Sequence, residues 1–154
     1  MTNENYTGVT TGTIATACAL AALESILDTS DIDCVKVKTP KKTLDIIIDE
    51  CKRLSHSSAC AVAHKNPYND PDVTVGLAIV ATVELLDKTS DEDSVIITGG
   101  EGVGKITKPG LQIPVGEYAI NPVPRKMIKK NLENISKPED LSYLIYTSGS
   151  TGTP

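Results

Sequence analysis

From Ile14 to Leu27 the chain carries small or apolar side chains on nearly every turn, with no Gly or Pro to interrupt them. The spacing predicts one long helix over this stretch. The polar turn Thr10-Thr11-Gly12-Thr13 stands directly before it. Threonine hydroxyls there can cap the open amides of a first turn, and a helix start with exposed amides is also a place where anions bind. The chain has no Phe and no Trp. Aliphatic side chains must therefore fill whatever core this helix builds.

Downstream, residues 34–39 alternate apolar and polar, Pro40-Lys41-Lys42 punctuates, and residues 43–49 are again rich in β-branched side chains. This predicts a hairpin. Runs at Ala59–Ala63 and Val73–Leu86 are read as strands, with Gly76 and the Val, Ile and Thr content deciding for strand in the second. The loop Asn66–Asp72 lies between them, and a short strand is expected at Val95–Thr98. From Gly99 to Arg125 the chain is dense in Gly and Pro, so a long ordered loop without regular structure is expected, and such loops are usually functional. Lys126–Ile135 reads as a short amphipathic helix, ended by Ser136-Lys137-Pro138. The fold class that follows is α+β: a long N-terminal helix packed on a small, mainly antiparallel sheet, with a long Gly/Pro-rich loop.

At 154 residues and 40% hydrophobic content, one domain with a real core is expected. A net charge of −5 argues against nucleic acid as a partner, since that binding rests on neutralising phosphates. No apolar run approaches the roughly 20 residues that span a bilayer, and the start MTNENYTG lacks the basic and apolar parts of a signal peptide, so no membrane partner and a cytoplasmic location are expected. Cys18, Cys34, Cys51 and Cys60 are irregularly spaced and read as free thiols.

Two constellations invite a stronger reading. The stretch Gly99–Lys105 matches GxxxxGK, a nucleoside-triphosphate loop, except that Ile106 stands where Ser or Thr ligates magnesium and Pro109-Gly110 follows too closely for a helix. Its glycines still let backbone amides approach an anionic or planar ligand, with Lys105 and Lys108 beside them. Cys51, His56, Cys60 and His64 lack the paired CxxC of structural zinc sites and fall in a strand-like run, so no metal is assigned.

Three stretches resemble one family. Thr7–Ala22 (TGVTTGTIATACALAA), Asn69–Ile79 (NDPDVTVGLAI) and Gly99–Ile128 (GGEGVGKITKPGLQIPVGEYAINPVPRKMI) are similar, in order and at natural spacing, to signatures of the cobalt-precorrin-5B C(1)-methyltransferases, the CbiD family. The resemblance implies methyl transfer from S-adenosyl-L-methionine to carbon 1 of cobalt-precorrin-5B, a cobalt-bearing tetrapyrrole with many carboxylates, in anaerobic cobalamin biosynthesis. It implies substrate-binding positions in each motif: Thr10, Thr11, Gly12 and Thr13 in the first, Asp70 and Asp72 in the second. In the third they are Gly102, Gly104, Lys105, Lys108, Asn121 and Arg125, the last because its planar fork suits a carboxylate. It assigns no catalytic residue.

Family members run more than twice this length, so the resemblance implies an N-terminal part, residues 1–136, with an incomplete cofactor site and no activity alone. The tail, residues 137–154, resembles something else: Leu141–Pro154 (LSYLIYTSGSTGTP) is similar to the strand and phosphate loop of adenylate-forming enzymes. Its Lys-Gly is lacking, and the tail is expected to lie at the periphery and not to bind ATP. A fragment of an adenylate-forming enzyme, or a non-catalytic binding module, are the alternatives.

Overall fold

The computed structural model describes residues 9–28, 31–64, 78–87, 95–100, 103–110, 113–120, 122–135 and 141–149. The apolar stretch forms α1, Thr11–Asp28, and the predicted hairpin forms β1, Cys34–Lys38, and β2, Thr43–Ile47, paired antiparallel with Cys34 opposite Ile47. Then come β3, Glu50–Ser55, β4, Ser58–His64, β5, Ala78–Asp87, and β6, Val95–Gly99. The helix α2 covers Pro122–Glu133 and β7 covers Leu141–Gly149. The strands β3-β4-β5-β7-β6 form one sheet in that order, antiparallel except for the parallel pair β6 and β7.

Thirteen of the eighteen residues of α1 are buried. The helix lies on the sheet across β3, β4 and β5 and also touches β1 and α2, which is why its sequence shows no polar stripe. Small side chains make the close approach possible: Ala17, Ala19, Ala21 and Ala22 of α1 and Ala59, Ala61, Ala63 and Ala81 of the sheet are all fully buried. Close approach of many small groups supplies the dispersion contacts that large aromatic rings provide elsewhere. Leu23, Ile46, Ile128, Leu132 and Ile145 complete the core. Among the described residues α1 is long and apolar enough to cross a membrane, yet 78% of it is buried inside the protein, as in a core helix.

Three expectations need correction. The sequence reading has no strand at β3, whose residues ECKRLS are mostly exposed and show no clear alternation; it forms because the turn at His56-Ser57 folds it back on β4. The strand expected over Val73–Leu86 needs none: it is present as β5 from Ala78, and residues 73–77 lie outside the described ones. The helix α2 begins at Pro122 rather than Lys126. Pro122 and Pro124 fall in its first turn, where amides have no intrahelical partner, so two prolines cost it no hydrogen bond there. Arg125 therefore sits on a helix and not in a loop. Finally, the tail is not peripheral. β7 lies between β5 and β6, with Val83 opposite Ile145 on one side and Ile97 opposite Ile145 on the other, and Ile145 and Thr147 are buried. β5 and β6 each offer it a ladder of backbone groups, and a strand paired on both edges is held in the interior.

Candidate functional site

The reciprocal cap at the start of α1 is the first element of the site. The Thr13 amide donates to Thr10 Oγ1 (3.1 Å) and the Thr10 amide donates to Thr13 Oγ1 (3.2 Å), while the Ile14 amide closes the first turn on the Thr10 carbonyl (3.1 Å). This is a capping box with threonine in both places. Thr10 and Thr11 are exposed and Thr13 is buried. At Gly12 an added Cβ would lie 3.1 Å from two ring carbons of Pro124, so the missing side chain lets the start of α1 come up against the start of α2.

Arg125, next to Pro124, reaches back into the sheet and the Gly/Pro segment. Its Nε donates to the Ile120 carbonyl (2.8 Å), Nη1 to the Ile97 carbonyl (3.3 Å) and Nη2 to the Tyr118 carbonyl (3.5 Å). Three of the five guanidinium donors thus hold backbone, and among the described residues one hydrogen on each terminal nitrogen has no acceptor. This ties the first turn of α2 to β6 and to the segment before the helix.

That segment folds as an irregular hairpin. Lys105 bridges Tyr118, the Ile106 amide donates to the Glu117 carbonyl (2.9 Å), and the Ala119 amide donates to the Gly104 carbonyl (2.8 Å). Gly110 and Gly116 turn it with φ of 106° and 93°, values that favour glycine. The Tyr118 ring covers Gly99 at the end of β6, where an added Cβ would come within 2.2 Å of it. The Lys105 ammonium sits over the Tyr118 ring, 4.9 Å from its centroid, a cation–π contact.

The structure thus joins Thr10–Thr13, Arg125, Gly104 and Lys105 through Pro124, Tyr118 and Ile120. Lys108 is exposed before the Pro109-Gly110 turn, and Gly104 has open space where a Cβ would stand. Asp70, Asp72, Gly102 and Asn121 lie outside the described residues. The reading from sequence missed Gly99 and Tyr118 as a packed pair; a glycine ending a strand is a weak signal, and the partner is nineteen positions away. Residues 103–110, where a nucleoside-triphosphate loop would open its helix, are not helical.

Of the zinc candidates, Cys51 stands opposite Ala61 and faces α1, donating to the Ala21 carbonyl (3.5 Å), whereas Cys60 and His64 alternate onto the other face of β4. His64 pairs with Asp49 through Nδ1 at 2.8 Å. The groups with shifted pKa are away from the joined region. Burial pushes the Cys18 thiol up to about 12, and burial also raises Cys51, Cys34 and Glu24, the last helped by Asp28. What the joined region presents is a set of cations, Lys105, Lys108 and Arg125, beside a capped helix start and backbone groups held in place.

The CbiD family model matches residues 1–152. A "Cobalt-precorrin-5B C(1)-methyltransferase" of Methanobrevibacter smithii is 95% identical over 140 residues, 91% of this chain and 38% of that protein. One of the same name from Methanosphaera stadtmanae is 49% identical over 138 residues, 90% of this chain and 35% of that protein. The crystal structure of a cobalamin biosynthesis protein (cbiD) from Archaeoglobus fulgidus superposes with a TM-score of 0.57 at 24% identity, covering 92% of this chain and 42% of that one. The chain spans less than two-fifths of the length of these two methyltransferases.

Proposed function

The chain belongs to the CbiD family, and from that premise we propose that it contributes the N-terminal region of an enzyme that methylates carbon 1 of cobalt-precorrin-5B. The observation that carries the proposal is the match of the family model to residues 1–152, together with near-identity to a protein of that name. The joined region supports it. A tetrapyrrole edged with carboxylates calls for cations and hydrogen-bond donors, and Lys105 and Arg125, held beside the capped start of α1, supply them.

S-adenosylmethionine supplies a methyl group on a sulfonium, a good leaving group, so alignment matters more than an acid–base pair. The role proposed for this chain is to orient the carboxylated acceptor, and the donor site needs parts of the relatives that this chain does not span. A cytoplasmic location goes with the same reading.

The test is a chimera in which the matched 140 residues replace their counterpart in the Methanobrevibacter smithii protein. It should methylate cobalt-precorrin-5B with S-adenosylmethionine, and the 154-residue chain by itself should show no turnover. A chimera that folds, binds neither compound and transfers no methyl group would refute the proposal.

A further inference from the structure

A cleft of about 800 Å³ opens between α2 and the end of β1, away from Tyr118 and Gly99. Its walls come from α2, chiefly Val123, Lys126, Met127, Lys129 and Lys130, and from Lys38 at the end of β1. Residues 123, 127 and 130 recur at helical spacing and form a stripe. Val123 is 62% exposed, one of the few large apolar side chains left open to solvent.

The walls of this cleft are held in place. Buried Asn131 accepts from the Lys38 amide (2.9 Å) and donates to the Lys38 carbonyl (3.0 Å) and the Met127 carbonyl (2.8 Å). One side chain thus fixes the distance between the strand and the helix. Asn131 has its polar atoms occupied, so it shapes the cleft and is not itself a ligand-binding group.

The charge here runs against that of the whole chain. The protein carries a net −5, yet four lysines, Lys38, Lys126, Lys129 and Lys130, line this cleft, and among the described residues Lys38, Lys126 and Lys130 make no ion pair. Glu133 is the one acid on the described walls. Lys126 and Lys130 stand one turn apart, about 6 Å along the axis. An apolar floor with ammonium groups at its edge suits a broad apolar body that carries carboxylates on its periphery. A long polyanion fits less well, because the acidic remainder of the surface would repel it.

We propose that this cleft binds the periphery of a polycarboxylate tetrapyrrole, with Lys38, Lys126 and Lys130 meeting carboxylates and Val123 and Met127 lying against the ring. The choice of ligand rests on the methyltransferase reading; the cleft and its charge do not.

The probe is uroporphyrin, a porphyrin with carboxylates around its whole edge, titrated into the 154-residue chain by fluorescence. Saturable binding is expected, weakening as salt is raised. Reversing two cations, Lys126→Glu with Lys130→Glu, should weaken it on the order of tenfold or more, since reversal replaces attraction by repulsion at both contacts. Val123→Asp should weaken it independently, and a cationic porphyrin of the same ring should not bind. Unchanged affinity in the double variant, with its circular dichroism intact, overturns the proposal. So does displacement of uroporphyrin by transfer RNA at similar concentration, which would make the face a general polyanion surface. The methyltransferase reading is judged by turnover of the chimera, so either result removes the cleft and leaves that reading standing.

Discussion

Gly99→Ala should destabilise the protein even though it adds one methyl group to a strand. The Cβ would stand 2.2 Å from Cδ1 and 2.5 Å from Cγ of Tyr118. Ordinary carbon–carbon contact lies near 3.5 Å, so the ring must retreat by about 1.3 Å. These are atoms near the root of the side chain and a rotamer change at its tip will not relieve them. The Tyr118 backbone must move instead, and it carries the bridge to Lys105 and the carbonyl that Arg125 holds. Overpacking of this kind costs about 1–3 kcal/mol. At roughly 2–4 °C per kcal/mol for a chain of this size, the melting midpoint should fall by several degrees. A double-mutant cycle checks the cause. Tyr118→Ala alone loses packing, but Gly99→Ala in that background should cost little, so the two changes together should destabilise by less than their sum. Strict additivity, or a Gly99→Ala variant within about 0.5 kcal/mol of the parent by urea denaturation, would refute the reasoning.

Arg125→Lys keeps the charge but loses the fork that spans Ile97, Tyr118 and Ile120; it should cost roughly 1–3 kcal/mol in ligand-free denaturation, and an unchanged midpoint would remove the clamp role. Thr10→Ala removes the acceptor for the Thr13 amide and should cost about 1 kcal/mol, most of it regained in Thr10→Ser. Cys18 predicts an alkaline effect. Its thiol rises from 9.0 to about 12 by burial, so above pH 9 the unfolded chain loses a proton that the folded chain keeps. The stabilisation is complete below pH 9 and is lost as pH rises toward 12, by up to about 4 kcal/mol at about 1.4 kcal/mol per unit. Cys18→Ala should flatten that fall in denaturation series run between about pH 8 and about pH 11, and an equally steep fall would show that other groups cause it.

What the sequence by itself determined was the local pattern: α1 with its threonine cap, the β1–β2 hairpin, β4, β6 and the three family motifs. Each has its signal within a few residues, as periodicity, capping chemistry or a turn. The site was legible only as a set of motifs. Thr10–Thr13, Lys105 and Arg125 could be named, but not that Arg125 would spend three donors on backbone carbonyls, because those carbonyls come from segments up to twenty-eight positions away. Tertiary structure alone decided that the polar run at β3 is a strand, that β7 inserts between β5 and β6, that Tyr118 covers Gly99, and that Asn131 sets the width of the cleft. The reason is common to all four. A backbone ladder, a ring on a glycine and a side chain bonding a distant strand satisfy groups that the local chain leaves open, and which partner satisfies them is decided by what else has already been brought near.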